Sequence, residues 1–536
     1  QVNIVKQRGL PPRFSRRLIA HAPSSTAIRR RCRQSVRLPE PLPRLSKSKY
    51  TAGLQCHRLL WWKTREPKAP ELTPDASLQA LFDMGNRVGE RARQEFPGAT
   101  LIELDYRRPH RAVEATRRAI EAGATAILEA SFFEDNIFVA VDALTKEPDG
   151  WVVTEVKATK SVKAQHYADA AVQTHVVERA GLPVTRVELM HLNGAHRHPD
   201  DGPLFTRADI TAEVAELRDG ITQEAAAQMR MLSGELPDIA PGPHCTDPYD
   251  CPFFARCNEP APDHAIEELN NIRDPALTEL RERGIETIDQ IPSDFPLKPV
   301  QARHRAAVLQ NEVVVEPGLQ GILAAYRYPI AMLDFETTGP ALPVWDGCSP
   351  LTAVPVQFSV HTLHENGELT HSAYLAEGQG DPRPAVAQAV TEALDGAATI
   401  LAWYAPVQRR SLKELAEASP EHAPALLEAR DKTEHLLLVV KNHFYHPGFR
   451  GTFSIKNVVP ALLPELAYDE LEVADGMAAS NLLEGNLRRP AELGEEQCNT
   501  LRTQLSAYCE HDTAVMVELF RHLRELATSP AHQSTK

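Results

Sequence analysis

The chain has 536 residues, a formal charge of −14 and 24% charged residues. Such a length exceeds what one hydrophobic core serves, so two substantial domains plus connectors are expected. No apolar run approaches the ~20 residues of a membrane span, and the acidic balance excludes a broadly basic, histone-like binder of nucleic acid.

The charge is unevenly spread. Residues 1–44 carry ten Arg, one Lys and one Glu, a net +10, which leaves −24 for the remainder. This Arg-, Pro- and Ser-rich stretch has no apolar periodicity and reads as an extension without fold; a transit peptide or a basic nucleic-acid arm has the same composition. Eight cysteines without a dense pairing pattern fit a reducing compartment, with the cytoplasm as the expected location.

Ser46 to Trp62 predicts a short helix with a serine near its start. Residues 76–95 predict an amphipathic helix with Leu78, Leu81, Phe82 and Val88 on one side. A strand at 100–104 and a helix at 110–122 follow. Segments 126–144 and 151–159 predict strands separated by the turn cluster Lys146-Glu-Pro-Asp-Gly150. A helix at 164–180 and a strand at 185–193 complete a mixed α/β domain over 45–262. Residues 263–326 predict a helical connector with proline-containing breaks. A second α/β domain, 327–530, opens on the strand Pro329-Ile-Ala-Met-Leu-Asp-Phe-Glu336 and closes on a helix from about 495 to 526.

Three constellations carry chemistry. In Trp151-Val-Val-Thr-Glu-Val-Lys157 the period of two sets Val153, Glu155 and Lys157 on one face. If Leu144 pairs with Trp151, Asp142 lies opposite Val153 and diagonal to Glu155, roughly 7–8 Å away, so that both carboxylates reach one cation. Two hard oxygen ligands suit Mg²⁺ or Mn²⁺, and Lys157 is a compact cation for orienting water or meeting phosphate charge. The bland alternative is a solvated hairpin face bearing a Glu–Lys pair. Cys245, Cys251 and Cys257 sit in a Pro- and Asp-rich segment, at intervals wider than the C-x2–4-C pairs of zinc sites. Thiolates at such wide intervals suit a 4Fe–4S cluster better; three buried free thiols are the alternative. Finally, Ile330, Met332, Asp334 and Glu336 share one strand face, and Tyr508, Asp512, Val515 and Leu519 form one helical stripe. A carboxylate inside an apolar stripe needs a partner, whether a metal, a cap or a salt bridge.

Asp142-x12-Glu155-Val-Lys157, with Gln173 on the next helix, resembles the PD-(D/E)XK nucleases. The nearest branch is the RecB-like one, including the CRISPR-associated nucleases with an iron–sulfur cluster. Leu45-Ser-Lys-Ser-Lys-Tyr50 and Gly53-Leu-Gln-Cys56 look like the start of those proteins. The resemblance implies Asp142 and Glu155 as Mg²⁺ or Mn²⁺ ligands, Lys157 as catalytic lysine and Gln173 facing the site. It also implies Cys56 as the fourth ligand of a 4Fe–4S cluster with Cys245, Cys251 and Cys257. Leu333-Asp-Phe-Glu-Thr337, Gly451-Thr-Phe-Ser-Ile-Lys456 with Val459-Pro-Ala-Leu462, and Tyr508-x3-Asp512 resemble an uncharacterised DnaQ-like domain, a relative of DEDD exonucleases. That resemblance implies a second site of Asp334, Glu336, Tyr508 and Asp512, with Gln408 where an acid is usual.

The implied architecture is α/β throughout: a restriction-endonuclease-like domain, a helical connector and an RNase H-like domain. The implied function is a metal-dependent nuclease of DNA processing or repair, with nucleic acid, DNA before RNA, as partner. An inactive nucleic-acid-binding or scaffold protein built on two nuclease folds is the alternative.

Overall fold

The computed structural model describes residues 44–529, apart from 200, 259, 379, 469–475, 477–478, 481–482 and 484–493. The extension, with Cys32, therefore lies outside the described residues except for Arg44. The described residues fall within one compact unit. It is a mixed α/β structure containing two large sheets, of seven and five strands.

The first sheet comprises β1 (Leu45–Ser46), β2 (Thr100–Leu101), β3 (Ala126–Glu134), β4 (Ile137–Glu147), β5 (Gly150–Lys157), β6 (Val184–Leu192) and β7 (Phe205–Asp209). Its order is β2-β3-β4-β5-β6-β7, with β1 parallel to the start of β4. Helices α1 (Lys47–Gln55), α2 (His57–Arg65), α3 (Ala76–Ala92), α4 (Pro109–Glu121), α5 (Ala164–Arg179), α6 (Thr211–Arg218) and α7 (Ile221–Leu232) accompany it. Strands β3, β4 and β5 run as an antiparallel meander, and α5 carries the chain over to β6, which is parallel to β5. That crossover is long enough for the helix a parallel pair requires. Ala170, Val172 and Val176 of α5 pack with Ile127, Val141, Val153 and Leu189 in the core under the sheet.

Three local readings are corrected. The helix predicted across 46–62 is two helices, because Cys56 is extended at φ −164° and ψ 125°. Ser46 does cap α1, its hydroxyl accepting from Lys49 N at 3.3 Å. The strand predicted over 126–144 is a hairpin, turned at Asp135 and Asn136 with φ of 50° and 62°. Two consecutive left-handed residues are what a two-residue hairpin turn needs, and Asp and Asn tolerate them. Finally, Glu147 pairs with Gly150 around Pro148 and Asp149, so Lys146 meets Trp151 and Leu144 meets Val153. The register is two residues from the one expected, and the same faces survive because the slip is even.

In the connector, helices Asp274–Glu282, Pro299–Gln310 and Leu319–Ala325 alternate with short 3-10 turns, and β8 (Val314–Val315) follows the second of them. The second sheet has β9 (Ile330–Thr338), β10 (Val354–Leu363), β11 (Leu369–Leu375), β12 (Thr399–Ala402) and β13 (Thr433–His435), in the order β11-β10-β9-β12-β13. β14 (Phe444–Tyr445) pairs with β8, tying the connector to this half. Strand β9 is buried on both faces: Ala331, Leu333 and Phe335 enter one core cluster, Ile330 and Met332 another. The closing helix, Glu495–Thr528, packs Val515 into the first cluster and Leu519 and Phe520 into the second. Among the described residues, no helix is long and apolar enough to cross a membrane.

Candidate active site

Carrying the β4–β5 register one residue beyond Ala143↔Thr154 sets Asp142 directly opposite Glu155, closer than the diagonal expected from sequence. Glu155 is 2% exposed and is the hub of the site. Its Oε1 lies 2.7 Å from Lys47 Nζ and 2.8 Å from Lys157 Nζ. Gln173 Nε2, from α5, donates to its Oε2 at 2.5 Å. Lys157 also donates to Asp169 Oδ2 at 2.6 Å, and Asp142 Oδ2 accepts from Val156 N at 2.7 Å. All four residues predicted for this site, Asp142, Glu155, Lys157 and Gln173, therefore come together. Gln173 is fully buried, and its Oε1 has no hydrogen-bond partner, so the site holds an unspent acceptor.

Lys47 and Asp169 join the site without having been predicted. Lys47 opens α1, and the parallel pairing of β1 with β4 delivers it to the sheet. Such a contact spans 108 positions and leaves no mark on local periodicity. Glu129 is also close by register, since Leu128↔Ala143 and Ala130↔Val141 leave it facing Asp142. It has φ +54°, uncommon for a strand residue and costly by about 1–3 kcal/mol, and Arg93 holds its carboxylate at 2.9 Å. His175, two positions after Gln173 on α5, meets Asp135 at 2.9 Å.

Burial, reinforced by the Glu155 charge, pushes the Asp142 carboxyl up to about 7. Burial works the same way on Glu155, but Lys47 and Lys157 outweigh it and hold that carboxyl well below its usual range. In metal-free protein one carboxylate of the pair thus carries the charge and the other a proton. A pH prediction follows from the sign. Folded Asp142 keeps a proton between its unfolded value of 3.8 and about 7, where the unfolded chain releases it. Asp142 therefore makes metal-free stability fall as pH rises through that window, by roughly 4 kcal/mol in all. In chelator-treated protein, Asp142→Asn is expected to remove this slope from thermal melts between pH 4 and 8. Parallel slopes for both proteins would contradict the assignment.

The four cysteines of the second constellation gather between α1, α2 and the segment 243–257. Cys56 lies at the α1–α2 break, and Cys56, Cys251 and Cys257 pack against Trp62 and Phe253. Burial pushes the Cys251 thiol up, and the nearby Cys56, Cys245 and Cys257 thiols act in the same direction. Gln55 Nε2 donates to the carbonyls of His244 and Tyr249 at 2.9 and 2.6 Å, and Arg58 to that of Ile239 at 3.1 Å. The two ends of the first half are thereby tied together.

In the second half, Asp334, Glu336 and Asp512 each offer an oxygen, all within 4.8 Å of one another. Strand alternation and the helical stripe aim these acids at one point, as the sequence pattern suggests. Burial raises the Asp334 carboxyl well above its usual range, with the Asp512 and Glu336 charges adding to it. Tyr468 OH donates to Asp512 Oδ1 at 2.6 Å, and the Tyr508 hydroxyl also bonds that carboxylate. Gln408 uses both ends of its amide: Nε2 donates to Asp334 Oδ1 at 2.7 Å, and Oε1 accepts from Phe335 N at 3.1 Å. Gln408→Glu keeps the second bond but sets a carboxylate beside Asp334. It is expected to lower stability without metal and to strengthen Mn²⁺ binding at this centre, read by calorimetric titration. Unchanged Mn²⁺ affinity would mean that Gln408 does not face the ion site.

A family model for a domain of unknown function, DUF2779, matches residues 331–454. The match spans Asp334, Glu336 and Gln408 and stops short of Tyr508 and Asp512. No curated protein matches the chain.

Proposed function

We propose that the chain is a metal-dependent phosphodiester hydrolase that cuts nucleic acid, DNA before RNA, at the Asp142–Glu155–Lys157 centre. The observation that carries this reading is the direct opposition of Asp142 and Glu155 beneath two lysines, with a buried glutamine holding the second carboxylate. On this reading the first half is a restriction-endonuclease-like domain of the RecB-like type. Its sheet order, with the α5 crossover and the acids on adjacent strands, supports that.

Asp142 and Glu155 are the residues that would hold Mg²⁺ or Mn²⁺. A two-carboxylate set with a near-neutral titration on one member suits a divalent cation, whose charge favours ionising both. When bound, such an ion supplies Lewis acidity toward water and the phosphate. The protein's own groups do the rest. Lys157, fixed between Glu155 and Asp169, keeps its ammonium charged and aimed at the carboxylate pair, where it can steady a nucleophilic water or an anionic phosphate oxygen. Lys47 brings a second positive charge from the start of α1, suited to a substrate phosphate. Gln173 and Val156 N fix the orientations of Glu155 and Asp142.

The cysteines fit a 4Fe–4S cluster that clasps the domain. The Cys245-x5-Cys251-x5-Cys257 intervals are wider than the C-x2–4-C pairs of zinc sites, which supports a multi-iron cluster. The second half is proposed as an RNase H-like exonuclease relative with an impaired site. Supporting this, Gln408 stands where a fourth anion would complete a two-metal centre.

The test is cleavage of end-labelled single- and double-stranded DNA and RNA by anaerobically purified full chain with Mg²⁺ or Mn²⁺. Metal-dependent cleavage of DNA is expected. No cleavage of any substrate, alongside retained nucleic-acid binding, would replace the hydrolase with a binding or scaffold protein.

A further inference from the structure

A third cluster lies outside both carboxylate centres, where the connector meets the second half. His264 and Glu268 flank the 3-10 turn Ile266–Glu268, and His304 lies on helix Pro299–Gln310. Each offers a ligand atom, all within 4.8 Å of one another, and His264 Nδ1 is 3.7 Å from Glu268 Oε2. His304 is 0% exposed, yet neither of its ring nitrogens has a hydrogen-bond partner. His264 Nδ1 and Glu268 Oε2 are likewise buried without hydrogen bonds. Buried polar atoms left without a hydrogen bond are costly, by about 1–3 kcal/mol each, and one atom from each of the three residues, a single ring nitrogen of His304 among them, lies close enough to share an ion.

The surroundings are built to hold these groups still. The His304 ring stacks on buried Tyr445 with centroids 4.5 Å apart and planes at 26°. Tyr445 OH accepts from Gly451 N at 2.9 Å. Gly451 has φ +77°, and a Cβ there would fall 1.5 Å from the Glu268 carbonyl oxygen, so only glycine lets that loop press on the Glu268 backbone. Arg450 donates to Glu268 Oε1 at 3.2 Å, which leaves Oε2 turned toward the histidines. An outer partner that fixes one carboxylate oxygen and frees the other is how ligating carboxylates are oriented. Glu268 and Arg450 also line an open cleft of ≈ 670 Å³, a route in for an ion.

We propose that His264, Glu268 and His304 form a Zn²⁺ site that ties the start of the connector to its helix Pro299–Gln310. Two imidazoles and one carboxylate suit zinc and leave a fourth position open. Ligands at about 2.0–2.2 Å in a tetrahedron stand roughly 3.3–3.6 Å apart, a small closure from the present spacing. The other histidine–acid group, His361, His371 and Glu510, lacks this character. There His361 Nδ1 is hydrogen-bonded to Thr513 at 2.7 Å and His371 Nε2 to Ser359 at 3.0 Å.

The test uses anaerobic full-length chain with its cysteines intact, stripped of loosely held metal and titrated with Zn²⁺ alone or Co²⁺ alone. His304→Gln, His264→Asn and Glu268→Gln are each expected to bind one equivalent of Zn²⁺ fewer than wild type. They are also expected to lose a tetrahedral Co²⁺ visible band that lacks thiolate charge-transfer absorption. Zn²⁺ is expected to raise the melting temperature of wild type more than that of any variant. If the buried His304→Gln protein does not fold, Glu268→Gln, which can still accept from Arg450, decides the matter. Full zinc stoichiometry with an unaltered Co²⁺ spectrum in folded variants would overturn the site and leave a buried water as the bridge.

Discussion

Glu155→Gln is expected to lower Mn²⁺-dependent DNA cleavage by about 10³-fold or more, with the protein still folded. The substitution keeps the size of the side chain and an oxygen able to accept from Lys47 and Lys157, while its new amide nitrogen can donate to the unpartnered Oε1 of Gln173 once that amide turns over. It removes the charge that would hold a cation opposite Asp142. Glu155→Ala is expected to be just as inactive and, in addition, less stable by about 3 kcal/mol. Its loss takes the carboxylate within 2.8 Å from two ammonium groups that are only 27% and 23% exposed, leaving Lys157 with Asp169 and Lys47 without its ion-pair partner. Lys47→Met in the Glu155→Ala background is therefore expected to restore part of the stability and none of the cleavage. Lys157→Ala is expected to slow cleavage with less effect on Mn²⁺ affinity, because an ammonium group bonded to Glu155 and Asp169 would not itself be a ligand. Undiminished cleavage by Glu155→Gln would remove the first centre from the reaction. In that case Asp334→Ala is the variant that should abolish activity.

What could be read in the sequence was whatever lies within one element or obeys one period. The faces of β5 and β9 follow from alternation, and Asp512 follows from the stripe of a helix now running from Glu495 to Thr528. Register was less legible. Placing Asp142 depended on whether Pro148-Asp149 alone forms the turn, and the actual pairing moves Asp142 from diagonal to opposite. The hairpin at Asp135-Asn136 had a signal, two turn-tolerant residues in sequence, which the apolar run on both sides masked. Lys47, Asp169 and Tyr468 had none, because their roles rest on contacts between one element and another, which no single period records. The apolar side of α3 shows the converse limit. Leu78, Leu81 and Phe82 share a face by period, yet each is more than 40% exposed, so amphipathic spacing alone does not guarantee burial.

Cys251→Ser is expected to bleach the broad visible absorbance of anaerobically purified protein and to lower its melting temperature by about 5 °C or more. Cys56 and Cys245 are some 190 positions apart, so a cluster joining them closes a long loop. In the chain-entropy picture such a cross-link is worth up to about 5 kcal/mol. The structure lowers that ceiling. Gln55 already bonds His244 and Tyr249, Arg58 bonds Ile239, and His57 meets Glu224 at 2.9 Å, so the loop ends are held without metal. The cluster's share is thus the part those polar contacts cannot supply, concentrated in the segment 243–257, which has only short helical turns of its own. Hydrogen exchange should accordingly quicken there and in α2 in the Cys251→Ser protein, while β4, β5 and α5 stay protected. Cleavage at the Glu155 centre should persist at temperatures where the variant remains folded, since the bonds of Asp142, Glu155 and Lys157 run to Lys47, Val156, Asp169 and Gln173 and not to the clustered cysteines. Stoichiometric zinc without iron in the wild-type protein would overturn the cluster, and the same protection pattern would then belong to a zinc clasp.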